Sequence, residues 1–180
     1  MDNQKLIQDC IKNKRGAQQA LYKSYANVFF RLAFRYVKHK EDAEDVVLES
    51  FMQIFDHMSA FIYHSEAQTE AWMKRIVINQ ALKKLRKANS FLFTDFDQVE
   101  MEDHSAVGIE DYMTANEILD LICTLPPGYR TVFNLFVVEG YSHNEIAGML
   151  NITENTSRSQ LFKAKAFLKE KIERRNRNII

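Results

Sequence analysis

The chain's only two prolines stand side by side, at Pro126-Pro127, followed by Gly128. Outside that Pro-Pro-Gly punctuation almost nothing in the 180 residues forbids helix, because only four further glycines occur beside Gly128. Apolar residues recur at three- and four-residue spacing, as in Leu21, Tyr25, Val28, Leu32 and Tyr36, and again in Val47, Phe51, Ile54 and Phe55. The chain is therefore expected to be all-α. At this length it suits one large domain or two small ones, and 46% hydrophobic residues suffice for buried cores.

The charge pattern divides it. The net charge is zero, but residues 1–88 carry 15 Lys and Arg against 10 Asp and Glu, residues 89–120 carry nine acids and no base, and residues 121–180 carry nine bases against five acids. A polyanion responds to local potential, so two basic segments flanking an acidic one are compatible with nucleic-acid binding where the average is not. Residues 89–111 read as a flexible acidic linker, between a first domain over 1–88 and a second over 112–180. In the first domain a helix opens near Glu41, residues 56–69 read as largely loop, and helix resumes from about Glu70 to Lys87. In the second, helices are expected from Tyr112 to Thr124 and from Tyr129 to Glu139, the latter closed by a left-handed Gly140.

Several classes lack support. No apolar run approaches the roughly 20 residues of a membrane span, and the N-terminal stretch is too polar for a signal peptide, so no membrane insertion is expected and a cytoplasmic protein is the default. Cys10 and Cys123 have no CxxC or CxxxxH partner, so neither a metal nor any other cofactor is expected. No nucleophile elbow or phosphate loop occurs, and the five histidines are scattered, with His57, His64 and His104 in or near expected loops. Catalysis is not expected.

The most informative segment is 140–171. Ser142 precedes Glu145 by three residues, a capping box that starts a helix at His143. Ile146, Ala147 and Leu150 give that helix a buried face, Ala147 being small enough for a close crossing. Asn151 tolerates the left-handed turn that ends it, and Thr153 caps the next helix. That helix begins Glu154-Asn155-Thr156-Ser157-Arg158-Ser159-Gln160 and continues through Lys163, Lys165 and Lys169. Hydroxyl, amide and guanidinium groups near a helix N-terminus, followed by cations, suit base edges in a major groove and phosphates beside it. Ser142, Thr156, Ser157, Arg158, Ser159, Gln160, Lys163 and Lys165 are the candidate DNA contacts. An ordinary helical hairpin with a solvated polar face is the alternative.

Two patches lie in the first domain. Asp42, Asp45, Glu49 and Phe51 belong to a helix with an acidic first turn, which by itself signifies dipole stabilisation. From Trp72 to Lys87, residues Ile76, Leu82 and Leu85 would face inward while Lys74, Arg75, Asn79, Lys83 and Arg86 form a basic, amide-bearing surface. The order of all these pieces resembles the extracytoplasmic-function (ECF) sigma factors of the sigma-70 family, over nearly the whole chain. Asp42-Ala43-Glu44-Asp45-Val46-Val47 with Glu49 and Phe51 resembles the family's helix that grips the clamp helices of RNA polymerase. Trp72, Asn79 and Arg86 sit as in its −10-reading helix. Leu125-Pro126-Pro127-Gly128-Tyr129-Arg130, Phe133, Glu139-Gly140-Tyr141-Ser142 and Glu145-Ile146-Ala147 resemble its second domain, and Thr156, Arg158, Ser159, Leu161, Lys163 and Lys165 its −35 recognition helix.

The resemblance implies core RNA polymerase and promoter DNA as partners, an anti-sigma factor as a partner of many members, and a sigma region 2 bundle linked to a region 4 helix-turn-helix. The loop with Phe61, Ile62, Tyr63 and His64 then becomes the candidate surface for unpaired −10 bases, unless Phe61 and Tyr63 simply pack beneath it. Ser157 departs from the family pattern, where Val is usual, and so do Gln160, Lys163 and Lys165, where Arg is common. A stand-alone helix-turn-helix regulator is the rival reading; it leaves the acidic helix and the Trp72–Lys87 helix without a role. A helical adaptor acting only through protein contacts is another.

Overall fold

The computed structural model describes residues 3–88 and 114–177. The expected linker over 89–111 and His104 lie outside them. All regular structure among the described residues is helical, and the chain divides into two compact units, Met1–Ala88 and Asn89–Ile180.

The first unit contains α1 (Asn3–Ile11), α2 (Arg15–Val37), α3 (Lys40–Met58) and α4 (Glu66–Ala88). Its core is built where α2, α3 and α4 meet: Leu21, Phe29 and Tyr36 from α2, Val46, Phe51 and Ile54 from α3, and Met73, Val77, Ile78 and Leu82 from α4 are all buried. Ile76 and Leu85 face inward as expected. Val28, expected on the buried stripe of α2, is instead exposed, and Phe29 takes its place. The buried face of α2 also takes in Ala33 and Val37, which turns its centre toward Phe29 and leaves Val28 outside it.

The breaks between helices have local causes. Lys38 ends α2 in a left-handed conformation (φ 68°), its N–H bonded to the Phe34 carbonyl at 2.9 Å. Glu41 and Asp42 then occupy the first turn of α3, where the helix dipole favours acids. The loop expected over 56–69 is shorter than that. Helix α3 runs on to Met58, which is buried, and α4 opens at Glu66 rather than Glu70. Ser65 starts it early: its hydroxyl accepts the Gln68 N–H at 3.2 Å, and the buried Thr69 hydroxyl donates to the Ser65 carbonyl at 2.8 Å.

The second unit contains α5 (Ala115–Cys123), α6 (Pro127–Phe133), which continues as a π-helical turn over Asn134–Val138, then α7 (His143–Leu150) and α8 (Glu154–Arg177). Helix α5 starts with a capping box, Thr114 with Glu117. Pro127 sits in the first turn of α6, where its missing N–H costs nothing. The buried Arg130 donates from Nη1 to the Leu125 carbonyl at 2.9 Å, bracing the Pro-Pro turn from inside. Gly140 has φ 79°, the expected left-handed conformation, and the chain then enters α7 through the Ser142–Glu145 capping box. Asn151 (φ 55°) closes α7, and the Thr153 hydroxyl accepts the Thr156 N–H at 3.0 Å to open α8. Ala147, expected at a close crossing of α7 and α8, is only half-buried.

Phe51 carries the largest aromatic cluster of the first unit, with its ring centroid 4.7 Å from Tyr22, 5.4 Å from Phe29 and 5.7 Å from Phe55. Phe51→Ala is expected to destabilise that unit by about 3–5 kcal/mol, measured as a lower urea midpoint with an unchanged slope.

Candidate nucleic-acid and polymerase interfaces

Helix α8 has two faces. Ser157 is fully buried and Thr156 nearly so. The Ser157 hydroxyl is hydrogen-bonded to His143 Nδ1 at 2.8 Å, and the Thr156 hydroxyl to that of Thr153 at 2.8 Å. Both residues were expected to touch DNA, and both instead pack the turn. Position 157, one residue before the exposed Arg158, points at α7, which explains why an apolar residue suits it in the resembled family. The outward face presents Asn155, Arg158 and Lys165, with Ser159, Gln160 and Lys163 half-buried beside them. Asn155 is the residue that pattern reasoning undervalued; its spacing of three and four from Arg158 and Ser159 was the available signal. Ser142 is exposed, but its side chain is engaged in the α7 capping box.

His143 is the polar hub of this turn. Its ring stacks on Phe136 with centroids 4.4 Å apart. Burial pushes its pKa below the ordinary value, and the neighbouring Arg158 guanidinium pushes in the same direction. Glu154 lies opposite, its Oε1 accepting from Asn144 Nδ2 at 2.9 Å and its Oε2 from Arg158 Nη2 at 3.4 Å.

In the first unit, Arg75, Asn79, Lys83 and Arg86 are all exposed along one stripe of α4. Three intervals of three or four residues at 1.5 Å each spread it over about 17 Å. Lys74 is held by Glu70 at 2.7 Å. In the loop before α4, Phe61 stacks on Trp72 (4.4 Å), and Tyr63 lines a small crevice with Leu6, Leu21 and Tyr25. Of residues 61–64, Ile62, 72% exposed, and His64 are the exposed ones. Phe61 and Tyr63 thus anchor the loop.

Helix α3 also separates its residues. Phe51, expected to meet a partner, is a core residue. Asp45 and Glu49 are exposed, and between and beyond them stand Leu48 and Met52, 54% and 67% exposed. Two large apolar side chains flanked by acids thus share one exposed face, which the acidic motif alone did not disclose. Lys84 of α4 pairs with Asp45 at 2.9 Å and Asp42 at 3.0 Å, which raises its pKa and ties the acidic end of α3 to α4. No group of three or more potential metal ligands occurs among the described residues.

These arrangements coincide with known families. Residues 21–91 match Sigma-70 region 2, and residues 115–168 match Sigma-70, region 4. The chain belongs to the sigma-70 family, in its ECF group. It is similar to the ECF RNA polymerase sigma factor SigE of Mycolicibacterium smegmatis, 28% identical over 155 residues, which span 83% of this chain and 59% of that protein. It is also similar to the ECF RNA polymerase sigma-E factor of Haemophilus influenzae, 28% identical over 185 residues and 96% of either chain. Among solved structures, the fold is shared with the sigma factor RpoE in complex with the anti-sigma factor NepR from Bartonella quintana. That match has a TM-score of 0.53 at 18% identity, and covers 86% of this chain and 96% of that one. This sigma factor therefore carries the two sigma-70 regions of a promoter-directed transcription initiation factor.

The depressed His143 pKa has a direction that can be checked. The unfolded chain takes up this proton near pH 6.5, whereas the folded chain resists it to lower pH. The stabilisation is whole above about pH 6.5 and is lost as pH falls from there through the folded pKa. His143→Gln, which can keep a hydrogen bond to Ser157 without titrating, is expected to remove this component from the melting temperature of the second unit measured across pH 7.5 to 5.

Proposed function

We propose that residues 1–88 bind core RNA polymerase and the −10 element, and that residues 112–180 bind the −35 element, with residues 89–111 joining them. The single observation that carries this reading is the sorting of α8: its inward hydroxyls lock it to α7, while Asn155, Arg158 and Lys165 are left on the outer face. A helix held by its neighbour and exposed on its polar side is what a major groove requires. In the first unit the α4 stripe of Arg75, Asn79, Lys83 and Arg86 supplies the −10 surface, and the exposure of Ile62, on a loop pinned by Phe61 and Tyr63, supports a contact with unstacked bases. The polymerase surface is the exposed face of α3, Asp45, Leu48, Glu49 and Met52.

The protein acts without catalysis of its own and works in the cytoplasm. No described helix is long and apolar enough to cross a membrane. Similar folds in complex with an anti-sigma factor support an anti-sigma factor as a further partner of this chain.

Co-purification with bacterial core enzyme, followed by run-off transcription from a genomic promoter library, tests the whole reading. Stable binding and start sites preceded by two spaced motifs are expected. Failure to bind core enzyme, with tight binding of the free chain to duplex DNA, would indicate a stand-alone regulator. Reversing Asp45 and Glu49 to Lys is expected to abolish co-purification while circular dichroism stays unchanged. Arg158→Ala is expected to weaken promoter binding by about 1–3 kcal/mol without weakening polymerase binding, as read by promoter-fragment retention of the assembled holoenzyme.

A further inference from the structure

Glu154 is the one acid in the first two turns of α8, and the structure does not leave it as a solvated dipole partner. Asn144 of α7 donates to its Oε1 at 2.9 Å, and Arg158, one turn on, donates to its Oε2 at 3.4 Å. These bonds depress the Glu154 pKa, the Asn144 bond contributing most, so the carboxylate is charged throughout the physiological range. Glu154 and Arg158 remain 43% and 53% exposed, so the pair is open to competition from solvent and from any anion.

We propose that Glu154 is a specificity-determining residue of the −35 interface: an internal carboxylate, aimed by Asn144, that occupies Arg158 until the duplex offers a base able to replace it. This rests on the assignment of α8 to −35 DNA. When α8 enters a major groove, Glu154 is carried between two rows of phosphates. A carboxylate there is repelled by the backbone unless a hydrogen-bond donor meets it, and among base edges the exposed donors are the amino groups of cytosine and adenine. Glutamate accepts well from the cytosine amino group, whereas adenine also presents an acceptor, N7, that repels a second carboxylate oxygen. Glu154 holds Arg158 through Nη2 alone, at 3.4 Å, so guanine or phosphate competes with it for the guanidinium, and the release of Arg158 is coupled to the base facing Glu154. On arbitrary DNA the carboxylate keeps its guanidinium, and one cation is withheld from the phosphates. Asn144 keeps the carboxylate in place while this exchange occurs, which makes it a positioning residue.

The test is selection of a randomised duplex library by holoenzyme assembled with the full-length wild-type chain or with Glu154→Gln, together with the salt dependence of retention of an unselected duplex. The wild type is expected to enrich cytosine at one position of the −35 motif. Gln reads adenine through its N6 and N7, so E154Q is expected to lose the cytosine preference or shift it to adenine. Its retention of unselected DNA should rise, with a log–log salt slope steeper by about one as Arg158 becomes available to a phosphate. Asn144→Ala, which keeps the charge, is expected to weaken the cytosine preference and leave that slope unchanged. Melting temperatures of both variants separate these changes from loss of fold. Identical base preferences and identical slopes for wild type and E154Q would overturn the proposal while leaving α8 as the −35 helix. Absence of any enriched sequence with the wild type would overturn that assignment and this proposal with it.

Discussion

Each long helix of this protein has to bury one stripe to exist at all, because helices in water draw most of their stability from packing an apolar face rather than from propensity. That requirement splits α3, α4 and α8 lengthwise. In α3, Val46, Val47, Phe51 and Ile54 go inward, so Asp45, Leu48, Glu49 and Met52 are delivered outward. In α4 the inward Met73, Val77, Ala81 and Leu85 leave Arg75, Asn79, Lys83 and Arg86 on the opposite face. In α8, Leu161, Ala164 and Leu168 set the rotation, and Arg158 and Lys165 follow from it. The surfaces assigned to partners are thus the complements of the cores.

Polar contacts then trim what packing leaves loose. Asn151 and Thr153 set the turn between α7 and α8, and the His143–Ser157 hydrogen bond adds a point of registry at the base of α8. Partial burial and the neighbouring Arg158 both favour the neutral imidazole there. In the first unit, Lys84 ties Asp42 and Asp45 of α3 to α4. These pairs lie largely in water, so their role is to fix direction more than to hold the fold.

The two units were legible to different degrees. Second-unit landmarks followed from local rules: Ser142 with Glu145, Asn151, Thr153 and Gly140 each act through atoms a few residues away, and the structure places each as its chemistry demands. The loop before α4 was misjudged, because Ser65 and Thr69 look like loop residues in composition yet cap and brace a helix. Phe51 and Ser157 sit inside segments whose pattern reads as functional, and both are structural: periodicity names a face only to within a residue or so, and one residue turns a helix by about 100°. Leu48 and Met52 are exposed for the complementary reason: an apolar residue of a helix is buried only where a neighbouring helix covers it.

By itself the sequence determined the helical class, the two-part basic organisation around an acidic segment, the helix-turn-helix and its caps. These depend on spacing, on charge counts and on hydrogen bonds between near neighbours. Only the tertiary structure decided which side of α3, α4 and α8 faces out, that Ser157 meets His143, and that Glu154 is shared by Asn144 and Arg158. Those outcomes depend on where a second helix lies, and contacts such as the 27-residue span from Gln53 to Gln80 or the 39-residue span from Asp45 to Lys84 are fixed by folding rather than by any local pattern.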